Sequence, residues 1–226
     1  MSALSVVMRL TKDKKVMLIG VPGTRNTWLW DCLGEELIDD IRLYEENFSV
    51  PHRGFIYIGN KERTCWPPHT SNLTVSQTCK LHRTSYEKIA TVRNPWERYI
   101  SNFEFIRNSP SHLMHERVMT WDFETFLLNV FHGNCTFDLA PQINFLFNNE
   151  GQLDFNALFK FEQTDEIKDF FVKRGYKFRD IPVNASPKDF ASYYTPQTLK
   201  LVSQMCWFET SFFGYSAPNL EKCEAA

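Results

Sequence analysis

The chain has 226 residues and a formal charge of −2, from 25 Lys and Arg against 27 Asp and Glu. Hydrophobic residues make up 43% and aromatic residues 15%, which excludes a globally disordered chain and is typical of a globular protein with a full core. The balanced charge predicts no binding surface for nucleic acid, because such surfaces need clustered Lys and Arg.

The N-terminal residues 1–10 are mildly apolar, but charges at 9 and 12–15 interrupt them before a signal peptide or a spanning helix could form. The six cysteines are scattered, which favours reduced thiols over a disulfide framework. We therefore expect a cytoplasmic protein, or a soluble domain whose anchor lies outside this sequence, with no membrane partner. We treat 1–226 as one domain with an N-terminal arm at 1–14 and a C-terminal tail at 216–226.

A first strand, loop and helix are predicted within residues 15–37. Residues 15–20 form a short apolar run typical of a strand buried on both faces, and 28–37 place apolar residues at helical spacing. The loop between them resembles a Walker A element in position but lacks its G-K-[ST] ending, which disfavours a nucleoside triphosphatase. Its backbone N–H groups precede a helix, where they can bind a monophosphate-like anion without metal, helped by the side chains of Thr24, Arg25 and Thr27.

A second unit of the same order follows. Residues 55–58 form a plausible strand, 60–68 are irregular, 88–92 predict a strand, 93–95 a turn and 96–107 a helix. Helices are predicted in the second half at 122–131, 165–174 and 196–208, the last begun by a Thr195 cap before Pro196, and a strand at 158–162. Alternating strands and helices favour an open α/β sheet.

The second unit carries the most specific pattern in the chain. Arg93-Asn94-Pro95-Trp96-Glu97-Arg98-Tyr99-Ile100-Ser101 matches R-[DN]-P-x-x-R-x-x-S, by which sulfotransferases bind the 3′-phosphate of 3′-phosphoadenosine 5′-phosphosulfate (PAPS). The guanidinium of Arg93 and the hydroxyl of Ser101, on neighbouring elements, can bind one phosphate from two sides.

Residues 15–215 as a whole resemble the carbohydrate sulfotransferase type, which includes Golgi glycan sulfotransferases and soluble microbial relatives. Further points of resemblance are Pro141-Gln142, Phe161-Glu162, Tyr193-Tyr194-Thr195-Pro196 and Phe213-Gly214-Tyr215. The resemblance implies a three-layer, P-loop-like α/β fold with a mostly parallel central sheet flanked by helices. It also implies PAPS as donor, adenosine 3′,5′-bisphosphate as product, no metal, and a small-molecule or carbohydrate acceptor. A Golgi-type enzyme would carry its anchor outside this sequence.

The first loop departs from the family pattern P-K-x-G-[ST]-[ST]. It consists of Pro22, Gly23, Thr24, Arg25, Asn26 and Thr27, which we expect to bind the 5′-phosphosulfate. Gly23 replaces the lysine that would neutralise the leaving phosphate, and we expect Arg25 to supply that charge, because sulfuryl transfer develops negative charge on the bridging oxygen. Without such a cation the chain would be a catalytically weak or inactive PAPS-binding protein on the same fold.

The acceptor must lose a proton, which requires a base. His69 lies where the family commonly carries its catalytic histidine, and we assign it this role. A rival interpretation uses Cys65, His69, Cys79 and His82 as a zinc site, although their spacing does not match common zinc fingers. A third alternative, a metal-independent phosphotransferase related to kinases, is disfavoured by the missing Walker lysine.

Overall fold

The structure, a computed structural model, describes residues 8–13, 15–24, 26–38, 54–58, 61–65, 87–136, 139–147, 152–182 and 192–218. Its strands are β1 Met8–Thr11, β2 Val16–Ile19, β3 Leu37–Ile38, β4 Gly54–Ile58, β5 Lys61–Cys65, β6 Glu87–Val92 and β7 Ala157–Lys160. Its α-helices are α1 Asn26–Leu33, α2 Pro95–Arg107, α3 His115–Val118, α4 Phe123–Phe131, α5 Thr164–Val172, α6 Pro196–Met205 and α7 Trp207–Phe213.

Five strands form one sheet in the order β3-β1-β2-β6-β7. The neighbours β2, β6 and β7 are parallel, with Leu18 paired to Ile89 and Ala90 to Leu158, and they place the loops after all three strands at one edge. β1 and β3 extend the sheet in antiparallel pairing. The predicted α/β class with a parallel core flanked by helices is therefore confirmed.

Helices cover both faces of the sheet. The buried strands carry apolar side chains on both faces, so each face needs a layer that covers it. On one face, α1 and α5 pack over Val16, Leu18 and Ile89. On the other face, residues 140–146 and Phe213 of α7 pack over Met17 and Ile19. Tyr215 joins this second core to a helical cluster formed mainly by α2, α4 and α6.

Several element bounds differ from the sequence-based prediction. Residues 8–11, placed in an N-terminal arm, form strand β1 of the central sheet, and residues 61–65, expected to be irregular, pair with β4 in a second, two-stranded sheet. The first helix ends at Leu33, before Gly34 with a φ of 47°, so that Leu37 lies in β3. The predicted helix at 196–208 is divided into α6 and α7 at Cys206.

Candidate functional site

The loop after β2 is held together by its own side chains. The carbonyl oxygen of Val21 accepts hydrogen bonds from the Thr24 hydroxyl at 2.8 Å and from Asn26 Nδ2 at 2.7 Å. Thr24 is 1% exposed, and its hydroxyl also lies 3.1 Å from that of Thr91 on β6. Since a hydroxyl has one proton to donate, the Thr24 side chain stabilises the loop from within. The predicted part of Thr24 in anion binding stays a prediction; Thr27, in the first turn of α1, is exposed.

Gly23 lies where helix α2 approaches the loop. Its φ is 79°, a left-handed conformation, and a Cβ there would be 2.6 Å from Asn102 Oδ1 and 3.0 Å from Arg98 Cγ. A side chain at this position therefore collides with α2 as well as straining the backbone. A lysine here, as in the family pattern, would strain the backbone and would require the Asn102 side chain to move, which gives a physical reason for the glycine.

Arg98 connects α2 to the loop. Its side chain is fully buried, and its Nε donates a 2.7 Å hydrogen bond to the carbonyl oxygen of Pro22. Arg98 and Asn102 are four residues apart and so lie on the same side of the helix, facing the loop. Sequence reasoning gave Arg98 no role, although it occupies a fixed position of the motif.

Arg93 lies directly after β6, at the edge where the three parallel strands end. Its main chain is held by Gln142, which accepts from the Arg93 N–H and donates to the Arg93 carbonyl, both at 2.8 Å. The guanidinium is fully buried, with Nη2 3.4 Å from Glu97 Oε2 and Cζ 5.7 Å from the centre of the Phe161 ring. A buried cation needs such partners, because desolvation of an isolated charge is very costly.

Ser101 lies on the second turn of α2, and the start of this helix explains its placement. Asn94 caps the helix by accepting from the N–H groups of Trp96 and Glu97, with Pro95 at the first position. Ser101 is partly buried and lies one turn after Glu97, on the same side of the helix. The carboxylate that contacts Arg93 and the predicted phosphate-binding hydroxyl are thus neighbours on α2.

Residues from distant parts of the chain surround the end of β6. Glu162 accepts hydrogen bonds from the Asn94 N–H at 2.7 Å and from the Tyr215 hydroxyl at 2.8 Å. Burial, with the Glu162 carboxylate adding to it, raises the pKa of Tyr215, so the phenol stays protonated and donates. The structure thereby brings four of the further points of resemblance, Gln142, Phe161, Glu162 and Tyr215, together around Arg93 and Asn94.

A buried carboxylate, that of Glu209, holds Gln142 in position. Glu209 of α7 is 1% exposed and accepts hydrogen bonds from Gln142 Nε2 at 3.2 Å and from the Ile143 N–H at 3.3 Å. Burial and the Glu209 carboxylate raise the pKa of the adjacent Cys206 thiol well above its ordinary value. Cys206 is therefore a neutral packing residue and an unsuitable nucleophile.

A cavity of about 430 Å³ lies beside the first turns of α1 and α5. Trp28, Phe178, Lys168 and Arg179 are among the side chains that line it, and Trp28 Nε1 is fixed by a 2.9 Å hydrogen bond to the Ile181 carbonyl. The Trp28 ring contacts Phe161, with centroids 5.7 Å apart, and Phe161 in turn contacts Arg93. The rings of Trp28 and Phe161 thus lie between the cavity and Arg93. Neither Arg93 nor Ser101 is among the described residues that line it. No local sequence pattern pointed to the cavity.

Two predicted catalytic residues, Arg25 and His69, lie outside the described residues, as do Cys79 and His82 of the zinc alternative. Their roles stay predictions. The structure places Pro22, Gly23, Thr24, Asn26 and Thr27 in the loop after β2 or at its end. It places Arg93 and Ser101 around the start of α2.

No known family model matches the chain, and no curated protein or solved structure does either. Within the described part of the chain, every helix is too short or too polar to cross a membrane.

Proposed function

We propose that the chain is a PAPS-dependent sulfotransferase, which moves a sulfuryl group to a hydroxyl or amine of a small-molecule or carbohydrate acceptor. The observation that supports this proposal most directly is the hydrogen bond from Arg98 Nε to the Pro22 carbonyl. It joins the loop expected to bind the 5′-phosphosulfate to the helix expected to bind the 3′-phosphate. Ligands of open α/β sheets bind at this edge, outside the carboxyl ends of parallel strands.

In this proposal the donor spans both elements. Residues 22–27 bind the 5′-phosphosulfate at the start of α1, and Arg93 and Ser101 bind the 3′-phosphate. Because Arg93 is fully buried and contacts Glu97, the phosphate enters as the Glu97 carboxylate, which is 22% exposed, moves aside. The adenine occupies the cavity beside Trp28 and Phe178, whose size lies within the range of small-molecule sites.

The proposed reaction is a direct in-line transfer. The acceptor oxygen or nitrogen attacks sulfur, the bond from sulfur to the bridging 5′-phosphate oxygen breaks, and the acceptor proton passes to His69. Arg25 neutralises the charge that develops on the leaving phosphate. The products are a sulfated acceptor and adenosine 3′,5′-bisphosphate. We favour this over a covalent sulfo-enzyme because the sequence presents no activated nucleophile.

A second candidate, a weak or inactive PAPS-binding protein on the same fold, is favoured by Gly23, which stands where the family has a lysine and where the backbone and Asn102 disfavour a side chain. Both candidates require recognition of the 3′-phosphate. Only the first requires turnover.

Calorimetric titration tests the shared requirement. We expect the wild type to bind adenosine 3′,5′-bisphosphate more tightly than adenosine 5′-phosphate, and Arg93→Ala to abolish that preference. Ser101→Ala is a milder variant that should reduce the preference without removing a buried charge. Arg107→Ala, an exposed arginine on the same helix, is the control. A wild type that prefers ATP with Mg²⁺, or that binds both adenosine phosphates equally, overturns the proposal.

Turnover then separates the two candidates. With labelled PAPS and a panel of alcohols, phenols, amines and sugars, the enzyme should transfer label to at least one acceptor. His69→Ala should retain donor binding and lose transfer, while His132→Ala, an exposed histidine, should keep both. Donor binding without transfer to any acceptor would favour the binding protein.

A further inference from the structure

Asn102 presents its side-chain amide to the loop after β2. It lies on α2, is 8% exposed, and packs where the side chain of residue 23 would be: an ideal Cβ on Gly23 would be 2.6 Å from its Oδ1 and 3.0 Å from its Nδ2. Because Gly23 has no side chain, the amide approaches the loop backbone itself.

The amide nitrogen of Asn102 is buried, and none of the residues that the structure describes accepts a hydrogen bond from it. Buried polar groups in folded proteins almost always have a partner, so this donor indicates an acceptor other than the residues that the structure describes. Three neighbouring donors have acceptors in the loop: the Thr24 hydroxyl and Asn26 Nδ2 donate to the Val21 carbonyl, and Arg98 Nε donates to the Pro22 carbonyl.

The start of α1 supplies the complementary observation. This helix has eight residues, and its first N–H groups lack partners within the helix and carry the positive end of its dipole. Such a helix start attracts anions, and the unused Asn102 amide lies against the loop that leads into it.

We propose that Asn102 Nδ2 donates a hydrogen bond to a non-bridging phosphate oxygen of the anion that residues 22–27 bind. This inference rests on the proposed function, in which that anion is the 5′-phosphosulfate of the donor. Asn102 then recognises the 5′-phosphate from the side of α2, opposite the helix start. It is a donor-binding residue with no part in recognition of the 3′-phosphate.

The test compares a truncated and an isosteric variant of Asn102 in calorimetric titrations with inorganic pyrophosphate, adenosine 5′-phosphate and adenosine 3′,5′-bisphosphate. Asn102→Ala removes the donor and should weaken all three ligands by roughly tenfold, the effect of one hydrogen bond to a charged group. Asn102→Asp puts a carboxylate against the anion and should weaken them further at neutral pH. Its defect relative to wild type should shrink as falling pH protonates the introduced carboxylate, which a purely structural role of Asn102 does not predict.

Asn108→Asp is the matched control, since it adds the same charge to an exposed position at the end of the same helix and should bind all three ligands like wild type. Thermal unfolding of each variant identifies loss of fold. Unchanged affinities in folded Asn102→Asp overturn this inference and leave the proposed function standing. A wild type that binds pyrophosphate through Asn102 but shows no preference for the 3′-phosphorylated nucleotide supports the inference and overturns the proposed function. Failure to bind any of the three overturns both.

Discussion

The side-chain amide of Gln142 forms two 2.8 Å hydrogen bonds with the main chain of Arg93, accepting from its N–H and donating to its carbonyl. On the opposite side of the same strand end, the Phe161 N–H donates to the Val92 carbonyl at 2.7 Å. The hydrogen-bond pattern of the sheet therefore continues past the last residue of β6. The main chain of Arg93, the first residue of the motif, is therefore held in place independently of the contacts of its side chain.

Replacing Gln142 with alanine should destabilise the fold. The variant leaves the buried N–H and carbonyl of Arg93 without partners, at about 1–3 kcal/mol for each group. Urea denaturation measures the free energy of unfolding, and Gln204→Ala, an exposed glutamine on α6, should change it by no more than about 0.5 kcal/mol. Equal stability of the two variants would contradict the role of Gln142.

Alanine substitutions at two glycines separate backbone strain from crowding. Gly23 and Gly175 have nearly the same φ, 79° and 84°, but a Cβ at Gly175 has no heavy atom within 4 Å. Both variants should lose about 1–2 kcal/mol of folding stability, because alanine is strained in the left-handed conformation. Gly23→Ala should lose about 1–3 kcal/mol more, because its Cβ collides with Asn102. Urea denaturation of both variants provides the comparison.

A double-mutant cycle checks the origin of the additional cost. Removing the amide with Asn102→Ala should recover part of the Gly23→Ala destabilisation, whereas strictly additive effects would show that the two residues do not interact. Under the proposed function, Gly23→Lys should for the same reason leave the rate of transfer from labelled PAPS no higher than that of wild type, although it restores the lysine of the family pattern.

Local sequence signals predicted the framework of the site well. The apolar runs of β2 and β6 identified strands of the parallel sheet, and the helix predicted at 96–107 is α2, which begins one residue earlier at Pro95. Thr195 caps α6 as predicted, in a capping box with Thr198. Each of these features depends on residues close together in the chain, so its physical cause is visible in a short segment.

The parts that were not predicted depend on distant contacts. β3 has two residues and becomes a strand only by pairing with β1. The approach of Asn102 to Gly23 joins positions 79 residues apart. The cavity combines Trp28 with residues of the 164–182 segment. Such juxtapositions follow from tertiary packing, which a pattern within either segment cannot reveal.

The pH dependence of stability should include a contribution from Asp122, the N-cap of α4. Its Oδ1 accepts from the Thr125 N–H at 2.8 Å, and hydrogen bonds to the Thr125 side chain and backbone hold its pKa below the ordinary value of 3.8. A lowered pKa stabilises the fold above the unfolded-state value, and this stabilisation is lost as pH falls through the folded-state value.

Two substitutions isolate that contribution. Asp122→Ala should cost about 1 kcal/mol at neutral pH, since the cap is lost, whereas Asp122→Asn keeps a capping oxygen that does not titrate. The stability of wild type relative to Asp122→Asn should therefore fall on acidification from about pH 5 to pH 2, measured by urea denaturation at each pH. A difference that is independent of pH would show that the carboxylate does not contribute as described.

Trp28 provides a test of the cavity that is independent of the phosphate sites. In the proposed function its ring stacks on the adenine, so Trp28→Leu should weaken nucleotide binding by roughly 5–150-fold, the equivalent of about 1–3 kcal/mol, while Trp28→Phe retains much of the affinity. Adenosine 5′-phosphate and adenosine 3′,5′-bisphosphate should lose affinity by the same factor, because both carry the base. Ser101→Ala, in contrast, should affect the bisphosphate alone. Trp207→Leu, at a 66% exposed tryptophan of α7, is the matched control. If Trp28→Leu binds both nucleotides like wild type, the adenine lies elsewhere and the cavity belongs to another ligand.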